Sequence, residues 1–187
     1  MNRKRNIVIV LAIGIVALVQ ATAWTVFAGD NWPPEPYQVY SPAGAWIETS
    51  DLDQPGNITI VTISPEDPRT GTGFAVATEI NTDPTIGGSI PDATSLTALF
   101  CTYVKTGPNT FQGNGVFYVR KDEKPRPVIL GIIVVENTIT LTSPDTMEAV
   151  GTFSLYNSAS DKDGDGLPDV DEQPLWASPI TQHLKRI

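Results

Sequence analysis

From Gly44 to Tyr156 the chain is a succession of short apolar or threonine-rich runs separated by turn-forming residues. Nowhere in it does an apolar stripe of period 3.6 persist for ten residues, so a helical core is excluded and strands are expected. Runs suited to strands fall at 44–50, 57–64, 72–80, 95–105, 110–121, 127–136, 138–143 and 147–157. Turn chemistry stands between them at Asp53-Gln54-Pro55-Gly56-Asn57, Pro65-Glu66-Asp67-Pro68, Lys105-Thr106-Gly107-Pro108-Asn109 and Ser143-Pro144-Asp145. Glu136-Asn137 reads as a tight hairpin corner. Eight short strands with short links predict an all-β fold, an antiparallel barrel or sandwich. Ser178 to Ile187 alternates loosely and is a candidate ninth strand. An even number of strands closes a simple up-and-down barrel, so a ninth is expected outside the closure.

Two stretches carry more information than strand placement. The one long link, Asn81 to Thr94, is rich in Pro, Gly, Asp and Thr and reads either as a lid over a barrel mouth or as a surface loop. The run Val128-Ile129-Leu130-Gly131-Ile132-Ile133-Val134-Val135 is apolar on both faces, whereas an antiparallel sheet normally turns only one face to the core. Its second face must be covered, either by this chain's own tail, with Leu175, Trp176 and Ile180 as candidates, or by a homo-oligomer contact.

The N-terminus has the layout of a secretory signal: basic Asn2-Arg3-Lys4-Arg5, then an apolar run from Ile7 to Val19 with no charge before Asp30. Small residues allow cleavage after Ala23 or after Ala28, and the second is preferred because Trp24 to Phe27 extends the apolar stretch. An uncleaved anchor is the rival reading, since residues 6–29 are uncharged and long enough to span a bilayer. Both readings make the protein secreted or cell-surface, with no membrane association expected once the signal is cleaved. Removing residues 1–28 takes away three basic groups and no acidic ones, so the charge moves from −9 to −12. So acidic a chain repels nucleic acid and anionic lipid and suits cations. Residues 29–43, with Trp32-Pro33-Pro34-Glu35-Pro36 and Pro42, read as an extended Pro-rich lead. Cys101 is the single cysteine, so no intrachain disulfide forms; its apolar surroundings predict a buried, inert thiol.

The sharpest local signal is Asp161-Lys162-Asp163-Gly164-Asp165-Gly166-Leu167-Pro168-Asp169-Val170-Asp171-Glu172. Counted from Asp161, carboxylates stand at positions 1, 3, 5, 9 and 12, with Gly166 at position 6 and the Leu167 carbonyl at 7. Calcium takes six to eight hard oxygen ligands, and this spacing wraps the chain around one ion, with Glu172 placed to close it bidentately. The expected ligands are Asp161, Asp163, Asp165, Leu167, Asp169 and Glu172. These twelve residues resemble the calcium loops of EF-hands, dockerins and thrombospondin type 3 repeats. Pro168 and the non-helical flanks make the likeness closer to a solitary thrombospondin-type loop than to a paired helix-loop-helix. Residues 158–187 are accordingly expected to form a calcium-loop tail on a β domain spanning 44–157.

No catalytic constellation accompanies it. His183 is the only histidine and lies near the C-terminal end of the sequence, and no zinc-ligand spacing exists outside the acidic loop. The expectation is a protein that is not an enzyme. Gly44-Ala45-Trp46, opening the first strand with about eight strands to follow, resembles the Gly-x-Trp start of lipocalins and related calycin barrels. In that family the Trp closes one end of the barrel and a late Arg packs across it. The resemblance therefore implies this role for Trp46, with Arg186 as its partner, and a small apolar ligand inside the barrel. The competing class is a structural or cell-surface module with no ligand, its tail braced by calcium.

Overall fold

The computed structural model describes residues 39–50, 57–80, 82–85 and 88–187. The signal segment and residues 29–38 of the Pro-rich lead lie outside the described residues. The strands are β1 (Gly44–Ser50), β2 (Ile58–Ile63), β3 (Thr72–Ile80), β4 (Ser95–Leu96), β5 (Leu99–Lys105), β6 (Thr110–Lys121), β7 (Val128–Ser143), β8 (Thr146–Asn157) and β9 (Trp176–Arg186). Every pairing is antiparallel, and they form a ring: β1–β2–β3–β5–β6–β7–β8–β9 and back to β1. The result is a closed eight-strand barrel, with the two-residue β4 as an extra strand on the end of β6.

Three strand expectations need correction, the first being the run expected at 95–105, which divides into β4 and β5 with different partners. Glu136-Asn137 is not a corner, because β7 runs unbroken through both residues. Asn137 instead stands in register between Gly113 of β6 and Gly151 of β8. Two glycines flanking one residue across the sheet let three long strands bend around the barrel without a turn. Fusing the two expected runs into β7 reduces the expected strand count by one. The C-terminal strand β9 then completes the ring instead of lying outside it.

Alternation along each strand sends one parity inward. At one end Trp46, Ile63, Tyr103, Phe111, Leu141, Met147 and Leu184 pack into one cluster. Trp46 is fully buried and donates from Nε1 to the Pro42 carbonyl at 2.8 Å. Arg186 sits directly opposite it in register, its guanidinium carbon 4.2 Å from the indole centroid. The guanidinium also donates to the carbonyls of Ala43 at 2.6 Å, Ser41 at 2.9 Å and Pro144 at 2.9 Å. Gly44 has φ of 140°, and a Cβ there would stand 2.5 Å from Arg186 Nη1. Gly44, Trp46 and Arg186 thus form one closure of the barrel end, as the Gly-x-Trp likeness implies.

At the other end Phe117, Val119, Ile133, Val135 and Leu155 form a second cluster, joined by Ile90 and Ala93 from the long link. Ile90 and Ala93 are both buried, and Ile90 Cδ1 occupies the space above Gly131. The link is therefore a stopper in this mouth and not a free surface loop. Between the clusters lies a polar layer. Gln182 donates to Glu48, Asn137 donates to Gln182 at 3.4 Å, and all three are buried.

Candidate calcium site and the strand it covers

The connection from β8 to β9 begins with a 3-10 turn, Ser158–Ser160, capped by the Asn157 side chain accepting from Ala159 N at 2.9 Å. The acidic loop follows and is organised around its first carboxylate. Asp161 Oδ1 accepts from the backbone N–H of Gly164 at 2.8 Å and of Asp165 at 3.0 Å, and Oδ2 from Gly166 at 3.0 Å. Asp163 accepts from Asp165 N at 3.2 Å, and Asp165 from Leu167 N at 2.8 Å. Gly164 and Gly166 have φ of 76° and 91°, a left-handed conformation that glycine adopts without steric cost. This winding brings carboxylate oxygens of Asp161, Asp163 and Asp165 within 4.8 Å of one another.

The other two carboxylates in the expected set are held differently. Asp169 accepts from Lys162 N at 2.9 Å, and its own N–H donates to the Ser160 carbonyl at 2.8 Å. Glu172 pairs with the Lys162 ammonium and accepts from Ser160 Oγ at 3.3 Å. The hydrogen bond to Glu172 raises the Lys162 pKa, reinforced by the nearby Asp171 and Asp169 charges. Lys162 therefore occupies the carboxylate that the spacing assigned to closing the ion's coordination. Sequence spacing gave no sign of this competition, because Lys162 stands at a position that carries no ligand. Leu167, expected to contribute its carbonyl, has a side chain about half exposed.

The loop also answers the question raised by the doubly apolar strand. Ile132 and Ile133 are each 1% exposed, although they point to opposite faces of β7. Ile133 belongs to the inner cluster. Ile132 lies on the outer face between Tyr118 of β6 and Tyr156 of β8. Tyr118 donates from its hydroxyl to the Gly166 carbonyl at 3.0 Å, and the 3-10 turn packs against β7. Ile132 is thus buried within this chain, flanked by two tyrosines of which one is tied to the acidic loop, and not by the residues expected to cover it. Trp176 packs on the inner cluster, Ile180 faces inward and Leu175 is exposed, because β9 is a barrel strand whose apolar residues serve the core. Burial of Ile132 needs no second subunit.

Elsewhere the chemistry is sparse. A surface groove of about 630 Å³ lies along β1, β8 and β9 and includes Glu148 and His183. His183 Nδ1 stands 3.7 Å from Glu148, with both side chains open to water. Cys101 points inward beside Gly115, and burial raises its thiol pKa to about 11, leaving it protonated and a poor nucleophile.

No family model matches this chain, and no curated protein matches it. A solved structure, EF1p2_mFAP2b bound to DFHBI, is similar over 78% of this chain and 93% of its own, at 19% identity and a TM-score of 0.43. A likeness that low transfers neither fold nor function.

Proposed function

We propose that this protein is an exported, non-catalytic β-barrel module whose β8–β9 connection binds one calcium ion, and that the ion braces the loop against Tyr118, the outer-face neighbour of Ile132. The observation that carries this reading is the convergence of Asp161, Asp163 and Asp165 on a backbone wound through two left-handed glycines. Three hard anionic oxygens so close repel one another, and a divalent cation relieves that repulsion. Completing the ligand set requires Glu172 to exchange Lys162 for the ion, a side-chain movement within an exposed loop. A lone extracellular loop binds with a dissociation constant of about 10⁻⁴ to 10⁻³ M, so millimolar calcium stabilises the ordered loop by roughly 1 kcal/mol. That magnitude fits a brace and is small for a signalling switch. Export is supported by the basic start and the Ile7–Val19 run. N-terminal sequencing of secreted protein should begin near Gly29 or Trp24, whereas full-length chain in the membrane fraction would mean an anchor.

The test of the ion is calorimetric titration, with binding expected in the sub-millimolar to millimolar range. Asp161→Ala and Glu172→Gln should both weaken it, and calcium should slow proteolysis within residues 158–175. Absence of binding up to several millimolar, or identical cleavage with and without calcium, would reduce the segment to an acidic linker.

A small apolar ligand inside the barrel is the second reading. It rests on the Ile90–Ala93 stopper, a part of the interior that a loop supplies and a ligand could displace. The rest of the interior supports the module: Trp46 and Arg186 close the other end, and Asn137 fills the space opened by Gly113. An apolar fluorescent probe that binds the parent chain, and binds more tightly to Ile90→Gly, would favour the ligand.

A further inference from the structure

We propose that the outer face of β1, β2, β3 and β5 is an interface at which two copies of this chain associate. Closing the ring pairs every barrel strand laterally, so association by adding a strand to a free edge is not available to it. What remains outside is side chains. On these four strands the outward positions hold only Ala, Val, Ile, Phe and Thr, and none is charged. Ile47 pairs with Ile60 and Ile58 with Ile80, each at least 38% exposed, while Phe74 and Phe100 lie diagonally across β3 and β5 at about 60% exposed. The outward positions of β7, β8 and β9 instead include Glu136, Glu148, His183 and Lys185.

The charge distribution selects the occupant. The chain carries a net charge of −9, so two copies repel wherever their acidic surfaces meet. Among the described residues this face lets them touch with no like-charge contact, and a two-fold axis lets one patch serve as its own complement. Sheets packed face to face stand about 10 Å apart, a separation that Ile and Phe side chains fill. Four strands about 4.8 Å apart and up to about seven residues long span on the order of 400 Å² in projection. That is smaller than the roughly 800 Å² per partner of a standard stable interface, so the dimer is weak and reversible.

Sedimentation of the full-length chain from about 1 to about 300 μM should show a monomer–dimer equilibrium with half-association at tens of micromolar. Phe100→Glu and Phe74→Glu, both at exposed sites, should each weaken it at least tenfold with unchanged melting temperature. Val150→Glu, at an exposed apolar residue on the outer face of β8, should leave it unaltered, whereas association through the N-terminal apolar run would persist equally in all three variants. A monomer at every concentration overturns the proposal, as does association that all three variants retain equally. Binding of a monomeric chain to zwitterionic phosphatidylcholine vesicles that Phe74→Glu and Phe100→Glu abolish and Val150→Glu leaves intact also overturns it, because a lipid surface then covers the face.

Discussion

Replacing Arg186 with alanine removes a side chain that joins three parts of the barrel end. Its guanidinium stacks on Trp46 and donates to carbonyls of Ser41 and Ala43 before β1 and of Pro144 in the β7–β8 turn. A cation on a buried indole contributes about 0.5–2 kcal/mol. Hydrogen bonds from a charged donor contribute about 1.5 kcal/mol each when shielded and less at a rim. The ion pair with Asp145 adds little, since Asp145 is largely exposed and stands 3.7 Å away. The expected loss is about 2–4 kcal/mol, or a melting temperature lower by about 5–15 °C for a domain of this size. Arg186→Lys should recover only a minor part, because a point charge cannot reach three carbonyls at once. Asp145→Ala is the control and should shift the melt little. Thermal unfolding followed by tryptophan fluorescence and far-ultraviolet dichroism measures all three. A cycle with Trp46→Leu should return a coupling of about 1 kcal/mol. An Arg186→Ala chain melting within about 2 °C of the parent, or strict additivity with Trp46→Leu, would show that this end is closed by packing alone.

Ile132→Lys and Ile133→Lys should each destabilise by about 3 kcal/mol or more in denaturant titration, since each places an unpaired charge where the parent side chain is 1% exposed. If Ile132→Lys melts like the parent, that position is not buried. Gly151→Ala should be more damaging than Gly113→Ala in the same titration. The new Cβ meets the Glu136 backbone carbonyl in the first case and the Asn137 side chain, which can move, in the second. Cys101 keeps its proton in the folded state to about pH 11 but loses it near 9 when unfolded, so stability should fall as pH rises above about 9 and level beyond about 11. Cys101→Ser should flatten that stretch of the stability–pH curve, and native thiol labelling at pH 8 should be slow until denaturant is added.

The strand periodicity was legible because one-faced burial writes itself into alternation, and β1, β3, β6 and β9 follow it closely. The acidic loop was legible because ligand geometry demands fixed spacing along the chain. Contacts between distant positions were not. A polar Glu-Asn pair mid-strand looks like a turn when its flanking glycines lie 24 and 14 residues away on other strands. Ile90 and Ala93 are small apolar marks in a loop of turn residues, and only the open mouth beneath them makes them core. Leu175, Trp176 and Ile180 look like a cover in sequence because nothing local marks their strand as the one that closes the ring. The charge-free outer face was equally hidden, since it appears only once alternate residues of four strands are laid side by side.

Because β9 lies between β1 and β8, the barrel cannot form until the last strand has left the ribosome. Before then the nascent domain presents two unpaired strands, each a template for pairing with another chain. Closure joins residues more than a hundred positions apart, which places folding among the slow, high-contact-order topologies. The final search is made by β9 at the end of the 158–175 connection, and its entropy depends on how much of that tether is free. On the proposed function, an ion held by Asp161, Asp163 and Asp165 would shorten the tether before β9 docks. The proposed calcium ion would then act on the rate of assembly as well as on the finished barrel.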